Sequence, residues 1–243
     1  MGAGLGADAD IRRIIRRRNS WMAWNSVLAL GLFGGGGIVA ARLSGSRTPY
    51  FAPGVLLLAL GFSCIACWNL FAIMRPLRYE SGPLQTHRSP GLTLTQAVGF
   101  MIAGLGGMGL GLNWGIFTSA ILMPFGGIMV GMGILQLPSL FDPSVILTVD
   151  AMGFFDRRFT RRPVPWSDLP PLQSSSFRAG WPVFVYPRDP ENSTLMRRVY
   201  LRLGFPFLYL GQDVLDASGG DILLAIHSHA PALTADLIAL PNS

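Results

Sequence analysis

Cys64 and Cys67 stand in a C-x-x-C pair, the spacing of a redox dithiol or of half a zinc site. No second cysteine pair exists to complete such a site, and the pair falls inside the apolar run Phe51–Met74. Two small residues one turn apart in a membrane helix is the favoured reading. His227 and His229 form an H-x-H pair near the end of a helix-like segment. On a helix, residues two apart point about 200° from each other, which suits one metal poorly. The carboxylates Asp150, Asp156, Asp168, Asp213, Asp216 and Asp221 are scattered over the last hundred positions, mostly where Asp serves turns and caps. No nucleophile elbow, phosphate loop, H-E-x-x-H or dinucleotide fingerprint occurs. These absences argue against an enzyme, and no cofactor or metal is expected. The cluster Arg157-Arg158-x-x-Arg161-Arg162 is the best functional candidate. It is suited to acidic lipid headgroups or an acidic partner. A solvated cluster that only sets orientation is the plainer account and is favoured over docking.

The elements that must position these residues are dominated by apolar runs. From Leu92 to Leu137 there is no Asp, Glu, Lys or Arg. Roughly 20 apolar residues span the hydrocarbon core of a bilayer. This stretch is long enough for two helices, joined at Gly111-Leu112-Asn113-Trp114-Gly115. Spans are predicted at about 21–41, 50–74, 92–110 and 114–137, making two hairpins. Only 13% of the 243 residues are charged, against about 25% in an ordinary soluble chain. The spans themselves hold no ionisable residue of the kind that marks an ion or proton path. That weighs against a transporter.

The segment 1–20 reads as a basic cytoplasmic arm. Arg12, Arg13 and Arg16 can share a helical face with Ile11, Ile14 and Ile15 nearby, so the arm could lie on anionic lipid. Holding the N-terminus in the cytoplasm is the favoured role. Arginine accounts for all nineteen basic residues, and the net charge is +6. The arm carries five and the loop between spans two and three carries three. The outer loops have Arg42 and Arg47 in one and no arginine in the other. That asymmetry predicts both termini in the cytoplasm. The first span is read as an uncleaved helix, because it is long and lacks a convincing small-x-small cleavage site. Nucleic acid is not expected as a partner, because topology already accounts for the arginines. Gly34, Gly35, Gly104, Gly107, Gly127 and Gly131 recur at spacings that let membrane helices approach closely, to each other, to a partner or to a second copy.

After Pro138 the texture changes to short strand-like runs: Val145–Val149, Phe154–Phe159, Pro163–Leu169, Trp181–Tyr186, Arg198–Leu203 and Phe205–Leu210. Prolines admit the third as an edge strand. Ser218-Gly-Gly-Asp221 reads as a capping box ahead of a helix over Ile222–His229. The expected product is a small α+β module.

The run Leu147-Thr148-Val149-Asp150-x-x-Gly153-Phe154-x-Asp156, followed by Val164-Pro165-Trp166-Ser167-Asp168-Leu169, resembles the opening of the pleckstrin-homology-like (PH-like) domains that bacteria attach to membrane helices. The helix Ser218–His229 is similar to that family's closing helix. The resemblance covers about 144–235 and implies a β-barrel or sandwich of seven strands capped by one helix. Six strands are readable, and Pro170-Pro171 interrupts the third. The fold class expected is therefore four membrane helices plus a cytoplasmic PH-like domain, in a bacterial inner membrane. The function expected is non-catalytic: scaffolding, assembly or regulation through lipid or protein contacts. An accessory subunit of a larger membrane complex and a small transporter or channel are the alternatives.

Overall fold

A computed structural model describes residues 3–43, 51–112, 116–174, 182–185, 191–202, 207–209 and 215–239. Two compact units emerge. One comprises Trp21–Met74 and Ser89–Asp142, and the other Met1–Ser20, Arg75–Arg88 and Pro143–Ser243.

The first unit is helical. Helix α1 (Ala3–Leu30), whose residues up to Ser20 belong to the second unit, passes through a π-helical turn at Gly31–Gly35 into α2 (Gly36–Leu43). Glycine tolerates the widened turn, and Phe33 within it stacks on Phe62, ring centroids 4.9 Å apart. Helices α3 (Phe51–Ile73), α4 (Pro90–Gly111) and α5 (Ile116–Gln136) follow. Ser89 enters α4 from an extended conformation with Pro90 in the first turn, where a missing N–H costs nothing. Among the described residues, four helical segments are long and apolar enough to cross a membrane: Ala9–Val39, Ala52–Ile73, Pro90–Gly111 and Ser119–Phe141. Part of the expected turn, residues 113–115, lies outside the described residues.

Helix α4 is central and antiparallel to both neighbours. A Cβ on Gly61 of α3 would strike Ala103, and one on Gly106 would strike Leu58. On its other side, a Cβ on Gly104 would lie 2.6 Å from the carbonyl oxygen of Gly126, and one on Gly133 2.7 Å from that of Ala97. Of the glycines expected to pack, Gly104 does so tightly, while Gly34 and Gly107 make ordinary contacts at 3.4 and 3.7 Å. Among the described residues, a Cβ on Gly35, Gly127 or Gly131 would have nothing within 4 Å, so these three do not pack within this chain. Gly61, Gly106, Gly126 and Gly133 carry the close packing instead.

The second unit is mixed. Strands β1 (Leu84–Thr86), β2 (Leu147–Asp150), β3 (Gly153–Asp156) and β4 (Val164–Pro165) form one antiparallel sheet in that order. Strands β5 (Gln173–Ser174), β6 (Pro182–Val185) and β7 (Phe207–Tyr209) form a second. Helix α6 (Leu195–Arg202) lies between β6 and β7 in the chain, and α7 (Gly219–His229) and α8 (Ala235–Ala239) close it. The β2–β3 turn shows why its residues are what they are. Asp150 accepts the N–H groups of Met152 and Gly153 through Oδ1. Gly153 has φ +155°, and a Cβ there would collide with the carbonyl oxygen of Val164. Trp166 closes the turn from outside, its indole N–H donating to the Asp150 carbonyl at 2.9 Å.

Three expectations are corrected here. Arg198–Leu203 is not a strand: its described part belongs to α6, where Thr194 Oγ1 accepts the Arg197 N–H as an N-cap. The edge strand at 163–169 shrinks to Val164–Pro165, because the chain turns into a 3-10 segment at Trp166–Asp168. The polar loop between α3 and α4 is more than a connection, since it supplies β1, paired Leu84↔Val149 and Thr86↔Leu147. The ends of the expected Trp181–Tyr186 and Phe205–Leu210 strands lie outside the described residues.

Candidate functional site

The arginine cluster follows β3. Asp156, fully buried, takes a two-pronged pair from Arg158, Nε to Oδ1 at 2.9 Å and Nη2 to Oδ2 at 2.6 Å. The Arg158 guanidinium also lies 5.3 Å from the centre of the Phe159 ring. Arg158 is thus committed inside the unit, and its place among the lipid-contact candidates is corrected to a structural one: a buried carboxylate needs its cation. Arg157 is exposed, and its Nη1 donates to Ser144 Oγ. Arg161 and Arg162 are exposed, and a clamp fixes their backbone. Asn192 Oδ1 accepts both N–H groups, at 3.1 and 2.7 Å, and its Nδ2 donates to the Arg162 carbonyl at 3.2 Å. The clamp ties the cluster to the start of α6, whose Thr194 Oγ1 donates to the Arg158 carbonyl at 2.6 Å. On α6, Arg197 is buried while Leu195, Arg198 and Arg202 are exposed. The sequence reading missed this helix. The polar run Asn192-Ser193-Thr194 ahead of it was the available signal.

The N-terminal arm contributes to the core of the second unit. Ile11 and Ile15 are buried in the core of the second unit with Leu147, Val149, Phe154, Ile222 and Ile226. Their apolar face meets protein, which removes it from any lipid surface. Arg13 and Arg16 remain exposed, Arg12 is half-buried, and Arg13 pairs with Asp10 at 3.3 Å.

Asp221 acts in two ways. As expected it completes the capping box of α7 with Ser218. It also accepts the N–H groups of Arg78 and Tyr79 through Oδ1, at 2.7 and 2.8 Å. Its Oδ2 accepts the Ser218 N–H and hydroxyl at 3.0 and 2.7 Å. Nearby, Arg75 donates to the Leu215 carbonyl at 2.5 Å, and Asp216 accepts the His87 N–H at 2.9 Å. Burial pulls the Arg75 guanidinium below its usual value, with Asp216 opposing that shift. The segment 75–88 is therefore held along its length by residues 215–229. At Gly220 all three chain segments meet. A Cβ there would lie 2.5 Å from Leu77 Cδ2 and 2.9 Å from Ile15 Cγ2.

The histidines serve structure. His227 Nδ1 is 2.6 Å from Thr234 Oγ1, and His229 Nε2 is 3.0 Å from the Gly82 carbonyl. Among the described residues, no three His, Cys, Asp or Glu side chains gather where a metal could bind.

Comparison with known protein families, characterised proteins and solved structures finds no match to the chain.

Proposed function

We propose that this is a multi-pass membrane protein of a bacterial inner membrane, whose four apolar helices form two hairpins and whose second unit faces the cytoplasm with both termini. The observation that carries this reading is the shared core of the second unit. Ile11 lies near the start of the first helix, ahead of the charge-free run that begins at Trp21, Tyr79 lies between the second and third apolar segments, and Leu215 follows the fourth, yet all three are buried in one cluster. A hydrophobic core cannot straddle a bilayer, so an even number of crossings separates these segments. The arginine asymmetry supplies the side. The outward faces of the helices support insertion: Leu32, Phe71, Ile128 and Leu135 are each more than 60% exposed, a pattern that suits lipid and costs in water.

The second unit is read as PH-like. Seven strands among the described residues, four in one sheet and three in another, with a helix closing the fold, support that resemblance. Two of the seven were not among the six runs read from the sequence: β1, donated by the loop between helices, and β5, while the described part of the run at 198–203 belongs to α6. The function this arrangement supports is non-catalytic: a membrane-tethered scaffold or regulator whose arginine surface, Arg157, Arg161 and Arg162, meets anionic lipid or an acidic partner. A second reading, an accessory subunit of a larger complex, is favoured by the open Gly127 and Gly131 on α5, where a partner helix could approach.

Extraction of membranes with alkaline carbonate tests the base of this reading. The chain is expected in the pellet; its release into the supernatant contradicts the proposal. Crosslinking in intact membranes separates the two functions, since a stoichiometric partner band supports the subunit.

A further inference from the structure

We infer that the exposed face of α6, with the clamped turn at Arg161 and Arg162, is a docking surface for anionic bilayer lipid in which Leu195 enters the headgroup–acyl boundary. This rests on the proposed membrane location and names the partner of the arginine surface. Leu195, Arg198 and Arg202 stand at i, i+3 and i+7, which puts them within about 60° of one another around the helix. Leu195 is 72% exposed, and both arginines are exposed. Arg197, about 200° round the helix from Leu195, is 2% exposed, so the described side chains of α6 divide between a buried and an exposed side. Asn192, three residues ahead of Leu195, holds the backbone of Arg161 and Arg162 through three hydrogen bonds. The strand-like contact Thr160↔Ser193 fixes the same approach. Four exposed arginines thus belong to one connected piece of structure, with Asp189 and Glu191 the acids just ahead of it in sequence.

A large exposed leucine flanked by arginines on a short helix matches a bilayer interface, where apolar and cationic groups are both satisfied. Each arginine near an anionic surface favours docking by roughly fivefold. A chain carrying four apolar helices is held at a bilayer, so even a modest intrinsic affinity is enough to populate the docked state.

The test uses the full chain in lipid nanodiscs. With Cys64→Ser and Cys67→Ser as background, Leu195→Cys carries an environment-sensitive fluorophore, and Met152→Cys, exposed on the β2–β3 turn, carries it in a control. On discs containing phosphatidylglycerol the position-195 emission shifts to the blue, and on pure phosphatidylcholine it stays solvent-like. R198Q/R202Q lowers the docked-to-undocked ratio by roughly 25-fold, and salt reverses the shift. The position-152 probe does not respond to lipid charge. A solvent-like signal at 195 on anionic discs, an equal shift on both lipids, or an equal response at 152 overturns the docking face. Protein that fails to enter discs at all overturns the membrane reading beneath it, which separates the two failures.

Discussion

The carboxylate of Asp221 accepts the backbone N–H of Tyr79 at 2.8 Å, across 142 positions of chain that include α4 and α5. One buried side chain thereby fastens the loop between the two helix hairpins to the first turn of α7. Its four accepted hydrogen bonds leave neither carboxylate oxygen unused. Replacing it with alanine strands buried donors on both segments. Asp221→Ala is expected to destabilise the second unit by about 3 kcal/mol or more. Asp221→Asn retains one acceptor oxygen for Arg78 and Tyr79 and costs less. Thermal unfolding in detergent, read with proteolysis in the 75–88 segment, checks the order wild type, Asn, Ala; equal stability of all three contradicts it.

The N-terminal arm makes a sharper prediction, because its topological role and its structural role separate on mutation. If the arm only set orientation, its isoleucines would be dispensable. Buried as they are, Ile15→Ala is expected to cost about 2–5 kcal/mol, and Gly220→Leu, which intrudes on Ile15 and Leu77, is expected to cost more than Gly220→Ala. Protease protection of residues 143–239 in the full chain is the readout. Unchanged protection in Ile15→Ala contradicts the shared core.

Within the arginine cluster, neighbours should behave oppositely. Arg158→Ala leaves Asp156 buried and uncompensated, with an expected loss of about 3–5 kcal/mol. Arg161→Gln is expected to change stability by less than about 0.5 kcal/mol. Urea or thermal midpoints of the two variants decide; equal losses would dissolve the distinction between the inward and outward arginines.

The glycines offer a matching pair in the helical unit. Gly61→Val drives a side chain into Ala103 and is expected to disrupt the α3–α4 contact. A Cβ at Gly127 would have nothing within 4 Å among the described residues, so Gly127→Val is expected to be tolerated. Detergent stability should fall in the first and hold in the second. A loss of crosslinked partner in Gly127→Val, with stability unchanged, would favour the subunit reading.

The helices were legible because charge-free runs of this length have few other uses. The Ser218–Asp221 cap was legible because it is a local motif. Strand β1 was not: Leu84-Gln85-Thr86 looks like loop, and only pairing with β2 some sixty positions later makes it a strand. Helix α6 was hidden by the β-branched and aromatic Val199 and Tyr200, whose strand tendency yields to the Thr194 cap. Gly104 was legible as a packing glycine, but Gly61, Gly106, Gly126 and Gly133 were not singled out, because every face of these helices is apolar and composition does not separate the side that meets a neighbour from the open side. The fate of Ile11 and Ile15 was hidden likewise, since an amphipathic arm reads the same against lipid or a protein core. The arginine cluster was visible, but Arg158 could not be set apart without seeing Asp156 beneath it.

In the proposed topology, three separated segments share one core on one side of a bilayer. Single cysteines introduced at Ala9, Ser81 and Ala235, in the Cys64→Ser, Cys67→Ser background, can be exposed to a membrane-impermeant maleimide on sealed vesicles of each orientation. All three are predicted to react from the cytoplasmic face alone. Reaction of any one of them from the opposite face would contradict it.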